Sequence, residues 1–242
     1  MLWPLLFLGL FSSSIWAGEN VTIGASYVHS QVDYKEPGLM TEKGPLNGVA
    51  IDLKISPWEH AQLRGQAKYL VGNLEYDGST FSGTPVKVTT DDNITEYRLV
   101  AGLTFEDFTP YVGYGYRFWR NDLVISYVRD TTYNYLPMGV RYDGKYFFAG
   151  AEYRRWLSGR NTSYLSDVGG GRHDVSFRQK NGKGYAYEAG FAFGLEPVDI
   201  KISVLYETWD VDRSTTANDG VDNLVEPKNR TRATSFNVGI FY

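Results

Sequence analysis

From about residue 20 onward, apolar and polar residues alternate along the chain in ten short segments. In one of them Ile51, Leu53 and Ile55 alternate with Asp52 and Lys54. A period of two residues is that of a β-strand with two different faces, and no window repeats apolar residues at helical spacing over three turns. Each segment runs for about ten to thirteen residues, roughly the length that a tilted strand needs to cross a bilayer.

The second face of these segments is rich in charged residues. They are Asp52, Lys54, Arg64, Lys68, Glu96, Arg98, Arg117, Arg141, Glu152, Arg154, Glu188, Lys201 and Glu207. Eight are positive and five are negative, so this face carries an excess of about three positive charges. Fixed charges in a narrow interior of low dielectric must pair or stay hydrated. We therefore predict a barrel lumen filled by salt bridges; a narrow pore that prefers anions is the alternative.

Short and long connections alternate between the segments. The short ones lie at 56–60, 106–108, 143–144 and 196–199, and the long ones near 35–47, 72–93, 120–134, 157–183 and 210–230. Aromatic residues fall at both ends of the segments, for example Tyr27 and Tyr69 near long connections and Phe105 and Phe193 near short ones. Two aromatic rings around an apolar band are typical of two lipid–water interfaces. The prediction is an all-β, closed, antiparallel up-and-down transmembrane β-barrel of ten strands, with eight strands as the alternative.

Composition narrows the class further. The chain has 242 residues and no Cys, and the absence of Cys excludes disulfide scaffolds and thiolate metal sites. Its net charge is −4, which gives no reason to expect nucleic acid as a partner. Residues 1–17 are apolar and end in small residues, as a secretory signal peptide does, and a buried N-terminal helix or membrane anchor is the alternative. We therefore expect a signal peptide over 1–17 and a barrel domain over 18–242.

The end of the chain carries a family resemblance. Phe236, Val238, Ile240 and Tyr242 alternate and close on an aromatic residue, similar to the signal that the outer-membrane assembly machinery reads. The mature sequence resembles a Gram-negative outer-membrane β-barrel, and its Gly and aromatic usage at 111–118 and 136–142 is similar to small barrels of the OmpA-like superfamily. The resemblance implies a monomer in the bacterial outer membrane, with loops outside the cell, termini in the periplasm, and lipid, lipopolysaccharide and the barrel-assembly machinery as partners.

Ten strands with five outer loops also resemble the omptin surface proteases and an opacity-type adhesin. Omptins carry a pair of aspartates in the second loop and an Asp-x-His in the fourth. Here Asp77, Asp91 and Asp92 do not form the Asp-x-Asp pattern, and His173 precedes Asp174 in the reverse order. The omptin activity is therefore not carried over, and no catalytic residue is assigned.

The fourth long loop is basic. Its candidates for binding lipopolysaccharide phosphates or an acidic polymer are Arg160, Arg172, His173, Arg178, Lys180 and Lys183. His29, His60 and His173 have no metal-ligand spacing, so neither a metal nor a cofactor is expected. We expect a structural or adhesin-like surface protein. The alternatives are a narrow passive pore and a surface hydrolase, the latter using His173 with Asp174 or Ser176.

Overall fold

Long antiparallel strands make up most of the computed structural model, which describes residues 21–80, 83–123 and 127–242. The strands are β1 (Val21–Glu36), β2 (Met40–Trp58), β3 (Ala61–Ser79), β4 (Pro85–Leu103), β5 (Phe108–Asp122), β6 (Val128–Asp143), β7 (Phe147–Ser163), β8 (Val175–Gln179), β9 (Gly182–Leu195), β10 (Val198–Val211), β11 (Ala217–Asn218), β12 (Asn223–Leu224) and β13 (Asn229–Phe241). A single 3₁₀ turn, Leu165–Val168, precedes β8 in the described chain. The predicted signal peptide over 1–17 lies outside the described residues.

The strands close into a ring. Each pairs antiparallel with its sequence neighbour from β1 to β7, and β13 pairs with both β10 and β1. The short β8 and the longer β9 both pair with β7 and serve as one wall strand, while β11 and β12 form a separate small hairpin. The predicted ten-strand, up-and-down barrel is confirmed. Closure pairs the backbone groups that an open edge would leave exposed in hydrocarbon.

An apolar belt surrounds the barrel. Ile51, Leu99 and Ile240 point outward and are 54%, 57% and 58% exposed. Exposed aromatic residues such as Tyr27 and Phe193 lie at the two edges of this belt. A contiguous apolar surface of this kind is unfavourable in water and fits a lipid surround. No helix in the described part of the chain is long and apolar enough to cross a membrane.

The strands continue well beyond the upper aromatic edge, and there the pattern inverts. Within the belt β1 places Ile23 outward, whereas further along β1 Val28 and Val32 point inward and are 1% exposed. The outward positions of that upper part are polar, for example Gln31. The wall above the belt is therefore built like a water-soluble barrel, with a buried apolar cluster that includes Leu46 and other residues of β1 to β5.

This extension corrects the predicted loop boundaries. The long connections near 35–47, 72–93, 120–134, 157–183 and 210–230 were predicted too wide. The structure leaves residues 37–39, 80–84, 123–127, 164–174 and 212–228 between the wall strands. The predicted boundaries depend on outward apolar residues, and these residues mark only the strand segments in contact with lipid.

Candidate functional site

All thirteen charged residues predicted for the lumen face the barrel interior, and most of them pair across it. The central group, here called the ionic layer, consists of Lys68, Glu96, Arg98, Arg117, Glu152, Arg154 and Glu207. Lys68 Nζ on β3 lies 2.9 Å from Glu207 Oε2 on β10, nearly opposite in the ring, and 3.0 Å from Glu96 Oε2 on β4. The bond to Glu207 therefore crosses the lumen, whereas Glu96 lies opposite Lys68 on the adjacent strand.

Arg154 on β7 makes the largest share of the contacts in the ionic layer. Its Nη1 lies 2.7 Å from Glu207 Oε1 and 3.4 Å from Glu96 Oε1, and its Nε donates to Glu152 Oε1 at 2.8 Å. Arg98 Nη1 reaches the other oxygen of Glu152 at 2.8 Å, and Arg117 Nη1 lies 3.6 Å from Glu96 Oε2. Three carboxylates are thus held by four cations in a single connected network.

A smaller set of charges lies nearer the short turns. Arg64 Nη2 is 2.6 Å from Asp52 Oδ1, and Arg141 Nη1 is 2.8 Å from Glu188 Oε2. Arg141 also bonds Asp143, a lumen-facing partner that the sequence reasoning had assigned to a turn. Lys54 and Lys201 make no ion pair within the described chain, and Lys201 Nζ lies 4.3 Å from the centre of the Phe241 ring.

Large aromatic side chains fill the interior directly above the ionic layer. This aromatic layer consists of Tyr133, Tyr135, Trp156, Trp209 and Val211, all buried and in mutual contact. The rings of Tyr133 and Trp156 are 4.8 Å apart, and those of Tyr135 and Trp209 are 5.0 Å apart. The Tyr135 hydroxyl donates to Glu96, and the Arg154 guanidinium lies 5.1 Å from the Trp209 ring.

Glycine makes room for these rings. A Cβ on Gly115 of β5 would lie 2.1 Å from Tyr135 Cζ, and one on Gly184 of β9 would lie 2.8 Å from the Trp209 ring. Since real side chains do not approach so closely, the large residues depend on bare backbone opposite them. The ionic and aromatic layers are therefore two successive obstructions in the same lumen.

A second charged cluster lies above the aromatic layer, at the long-loop end. It contains Glu36, Glu42, Arg129 and Glu226, all buried and contributed by four different parts of the chain. Burial raises the pKa of Glu226 to about 8, and repulsion by Glu36 adds to the rise. Sequence reasoning missed this cluster because it assigned all four positions to loops. The continued alternation through 28–36 was the signal that would have found it.

Above that cluster lies a partly open cavity of about 480 Å³, lined by described residues of the strand ends and connections at the long-loop end. The fourth and fifth connections form a cap on it. Arg172 bonds Asp219 and Asp222 across the two connections, and the His173 backbone N–H donates to the Asp219 carbonyl oxygen at 2.6 Å. The Asp222 and Val221 backbone N–H groups donate to the Asp219 carboxylate, which lowers the pKa of Asp219.

The basic residues predicted in the fourth loop separate into two groups. Arg172 and His173 belong to the cap. The other four, Arg160, Arg178, Lys180 and Lys183, lie on the outer face of β7, β8, β9 and the turn between β8 and β9. Together with Arg155 on β7, which the sequence analysis did not single out, they form the basic wall: Arg155, Arg160, Arg178, Lys180 and Lys183. Arg160 pairs in register with Arg178, and Arg155 with Lys183, directly beyond the outward pair Tyr153 and Tyr185. None of the five makes an ion pair within residues 21–80, 83–123 and 127–242.

No protein-family model and no curated protein matches the sequence. The structure is similar to the outer membrane protease OmpT from Escherichia coli, with a TM-score of 0.58 at 12% identity, covering 96% of this chain and 99% of that one. The fold is that of an outer-membrane β-barrel. Lower scores are found for the translocator domain of the autotransporter NalP from Neisseria meningitidis (TM-score 0.46, 10% identity, 93% and 88% covered) and for Neisserial surface protein A (TM-score 0.37, 11% identity, 91% and 95% covered).

In this barrel the candidate hydrolytic residues lie in separate contacts. Asp174 accepts hydrogen bonds from the backbone N–H and hydroxyl of Ser166 at 3.0 and 2.7 Å, and the Ser176 hydroxyl bonds that of Thr162. Asp92 is buried inside the wall and accepts from Trp119 Nε1 at 2.7 Å. The structure does not join these groups into a nucleophile, base and orienting acid.

The predicted assembly signal lies on the final strand of the barrel. Its four residues, Phe236, Val238, Ile240 and Tyr242, all point outward from the end of β13 into the apolar belt. The Tyr242 N–H and carbonyl pair with the Ile23 backbone, so the ends of the described barrel meet at the short-turn end.

Proposed function

We propose that the protein is a non-conducting barrel of the bacterial outer membrane that presents a rigid binding surface outside the cell. In this proposal the long connections face outward, and both ends of the described barrel face the periplasm. The observation that carries it is the double obstruction of the lumen by the ionic and aromatic layers, below a wall that extends well beyond the lipid belt. A filled lumen supports a role at the surface over transport through the barrel.

The alternative of a narrow anion-preferring pore is tested in a planar lipid bilayer. We expect the purified barrel to give no discrete conductance steps. The matched comparison is a known porin reconstituted at the same protein-to-lipid ratio. Reproducible steps with anion selectivity, reduced by Arg98→Ala or Arg117→Ala, would replace this proposal with the pore.

The basic wall favours lipopolysaccharide as the partner of the outer surface. Its Arg160–Arg178 pair sets like charges side by side, which is unfavourable without an anion between them, and Arg155–Lys183 is a second such pair, with Asp210 of β10 on the other side of Lys183. Lipid A phosphates lie close to the lipid–water interface, which the Tyr153 and Tyr185 rings mark on this wall. Arginine forks bind phosphate oxygens through paired charge-assisted hydrogen bonds.

The test compares lipopolysaccharide with and without its lipid A phosphates. We expect the double variant Arg160→Glu and Arg178→Glu to lose roughly tenfold or more in affinity for the phosphorylated form, since each lost charge-assisted contact is worth about 1.5–3 kcal/mol. Arg232→Glu, an exposed outward charge on β13, is the control. Equal binding of the dephosphorylated form would reject phosphate recognition by this wall.

Two further partner assignments belong to the same proposal. The alternating outward residues at the end of β13 suit recognition by the barrel-assembly machinery, and the single closed ring suits a monomer. Removal of Tyr242 is expected to slow assembly in cells without changing the migration of barrel that has already folded. Unchanged assembly kinetics would reject that role for the C-terminal residue.

A further inference from the structure

The cavity at the long-loop end is apolar along its sides. Each of the five connections or its flanking strand contributes to it, and the apolar lining includes Leu39, Val88, Leu123, Leu165, Phe177 and Leu224. Leu165 and Phe177 are buried and pack with Leu224, so this wall belongs to a folded cluster of the cap. Its volume of about 480 Å³ is in the range of cavities that hold small organic ligands.

The inner end of the cavity is ionic. Glu36, Arg129 and Glu226 line it, and Glu42 lies directly behind them. Arg129 Nη1 is 3.5 Å from Glu36 Oε1, its Nη2 bonds Glu42, and its Nε and Nη2 donate to Asn121. One guanidinium therefore faces three carboxylates.

Of the three carboxylates, Glu226 has the least favourable set of neighbours for a negative charge. Its carboxylate Oε1 lies 3.2 Å from Asn161 Nδ2 and 3.4 Å from the Tyr34 hydroxyl, both of them neutral donors. The Tyr34 hydroxyl also lies 2.8 Å from Glu36 Oε1, and its single proton serves one carboxylate at a time. Within the described chain Glu226 makes no ion pair. A buried carboxylate without a counter-charge is unfavourable, so Glu226 holds a proton at neutral pH, and a cation beside it would favour release of that proton.

We propose that this cavity binds a small amphiphilic cation, an alkyl or aryl ammonium compound. The ammonium group lies between Glu226 and Glu36, and the apolar part of the ligand packs against Val88, Leu165 and Phe177. An anionic amphiphile would add a negative charge to an acid-rich end. A neutral one would leave the carboxylates as they are. The inference deepens the proposed surface-binding function, on which it rests for access from outside the cell.

The test uses three water-soluble probes with the barrel in dodecyl maltoside micelles: hexyltrimethylammonium, hexanoate and tetramethylammonium. Calorimetric titration is expected to give the tightest binding for hexyltrimethylammonium, with each of the others weaker by roughly tenfold or more. Equal affinity for hexanoate would overturn the choice of charge. Equal affinity for tetramethylammonium would overturn the role of the apolar walls.

Two variants locate the site. Glu226→Gln removes the carboxyl group that can ionise beside the ammonium and is expected to reduce hexyltrimethylammonium affinity by roughly tenfold or more, whereas Glu75→Gln, at an exposed carboxylate on the outer face of β3, leaves it unchanged. Val88→Trp fills the cavity without changing charge and is expected to abolish binding. If both Glu226→Gln and Val88→Trp bind normally, the cavity is not the site.

Neither variant touches the basic wall or the ionic layer. We therefore expect both variants to bind lipopolysaccharide as the parent does and to give no conductance steps in a planar bilayer. Heat-modifiable gel migration checks that each variant is folded. Loss of cation binding with these properties intact supports the inference. A failure of the cation probes would leave the proposed surface function standing, while conductance steps would reject that function independently of the probes.

Discussion

Arg154 lies where the ionic layer meets the aromatic layer, bonding three carboxylates below and lying against Trp209 above. Removing it leaves Glu96, Glu152 and Glu207 with less positive charge in a buried site. Loss of one partner from a buried ion pair typically costs about 3–5 kcal/mol, more than the pair contributes when intact. The Arg154 side chain therefore matters chiefly because its removal leaves three buried carboxylates with too little counter-charge.

We predict that Arg154→Met lowers the free energy of unfolding in lipid vesicles by about 3–5 kcal/mol, measured by urea titration. Arg160→Met, an exposed arginine on the same strand, is the control and is expected to change it by less than about 0.5 kcal/mol. Adding Glu207→Gln to Arg154→Met removes one stranded charge and should recover part of the loss. An unchanged unfolding midpoint in Arg154→Met would contradict the network.

Glu226 gives the long-loop end a pH dependence. Its folded pKa of about 8 lies above the ordinary value of 4.5, so between these values the folded state holds a proton that the unfolded state has lost. The stability contributed by that proton is complete below pH 4.5 and is lost as the pH rises towards 8. The groups facing Glu226 include Tyr34 and Glu36 on β1, Glu42 on β2, Arg129 and Tyr133 on β6, Asn161 on β7, and Tyr127 just before β6.

Hydrogen-exchange protection factors, which correct for the intrinsic rate at each pH, measure this effect. We expect protection of the upper parts of β1 and β6 to fall between pH 5 and pH 8, while that of the strand segments within the apolar belt stays constant. Glu226→Gln should remove part of the difference, and the remainder is expected from Glu42, whose pKa burial raises to about 7. Protection that rises with pH, or falls equally in the variant, would show that another group is responsible.

At the scale of the element, the Arg172 side chain joins the two connections of the cap, beside the His173–Asp219 backbone bond and the packing of Leu224 on Leu165 and Phe177. Arg172 Nη2 lies 2.8 Å from Asp222 Oδ2, and its Nη1 bonds Asp219, whose carboxylate also receives two backbone N–H groups. We predict that Arg172→Gln makes residues 164–174 and 212–228 sensitive to proteinase K while the membrane-embedded barrel remains intact. Arg178→Gln, on the outer wall, is the control. Equal resistance in both would show that the cap does not depend on this contact.

The strands also show which features the sequence predicts and which it does not. The alternation of β1 correctly predicts an apolar outer face from Val21 to Tyr27, because apolar residues on the outside of a barrel with a charged interior indicate contact with lipid. Beyond Tyr27 the same strand buries Val28 and Val32, since its outer face has left the lipid and its inner face forms a small core. Outward apolar residues therefore indicate a strand only within the apolar belt, and the part of the strand above the belt is not predicted by them.

The sequence also does not predict which inward charged side chains bond each other. Strand parity indicates that Lys68 and Glu207 both point inward, but they lie 139 positions apart in the chain. Their contact depends on how far the hydrogen-bond register is staggered around the ring, which local alternation does not encode. The charges of the interior were therefore predictable as a set, whereas the connected network, the aromatic layer and the cluster around Glu226 required the closed barrel.

At the scale of the whole molecule, the two layers obstruct the lumen in series, so neither alone decides whether ions pass. Lys68→Ala with Glu207→Ala removes an ion pair without changing net charge, and Tyr135→Ala with Trp209→Ala opens the aromatic layer above it. Each pair of substitutions leaves one obstruction in place. We therefore predict that both double variants remain silent in a planar bilayer, and that the quadruple variant gives small discrete steps. Conductance steps in either double variant would show that only one layer closes the barrel. If the quadruple variant migrates normally in the heat-modifiable gel assay and still gives no steps, neighbouring side chains have filled the space.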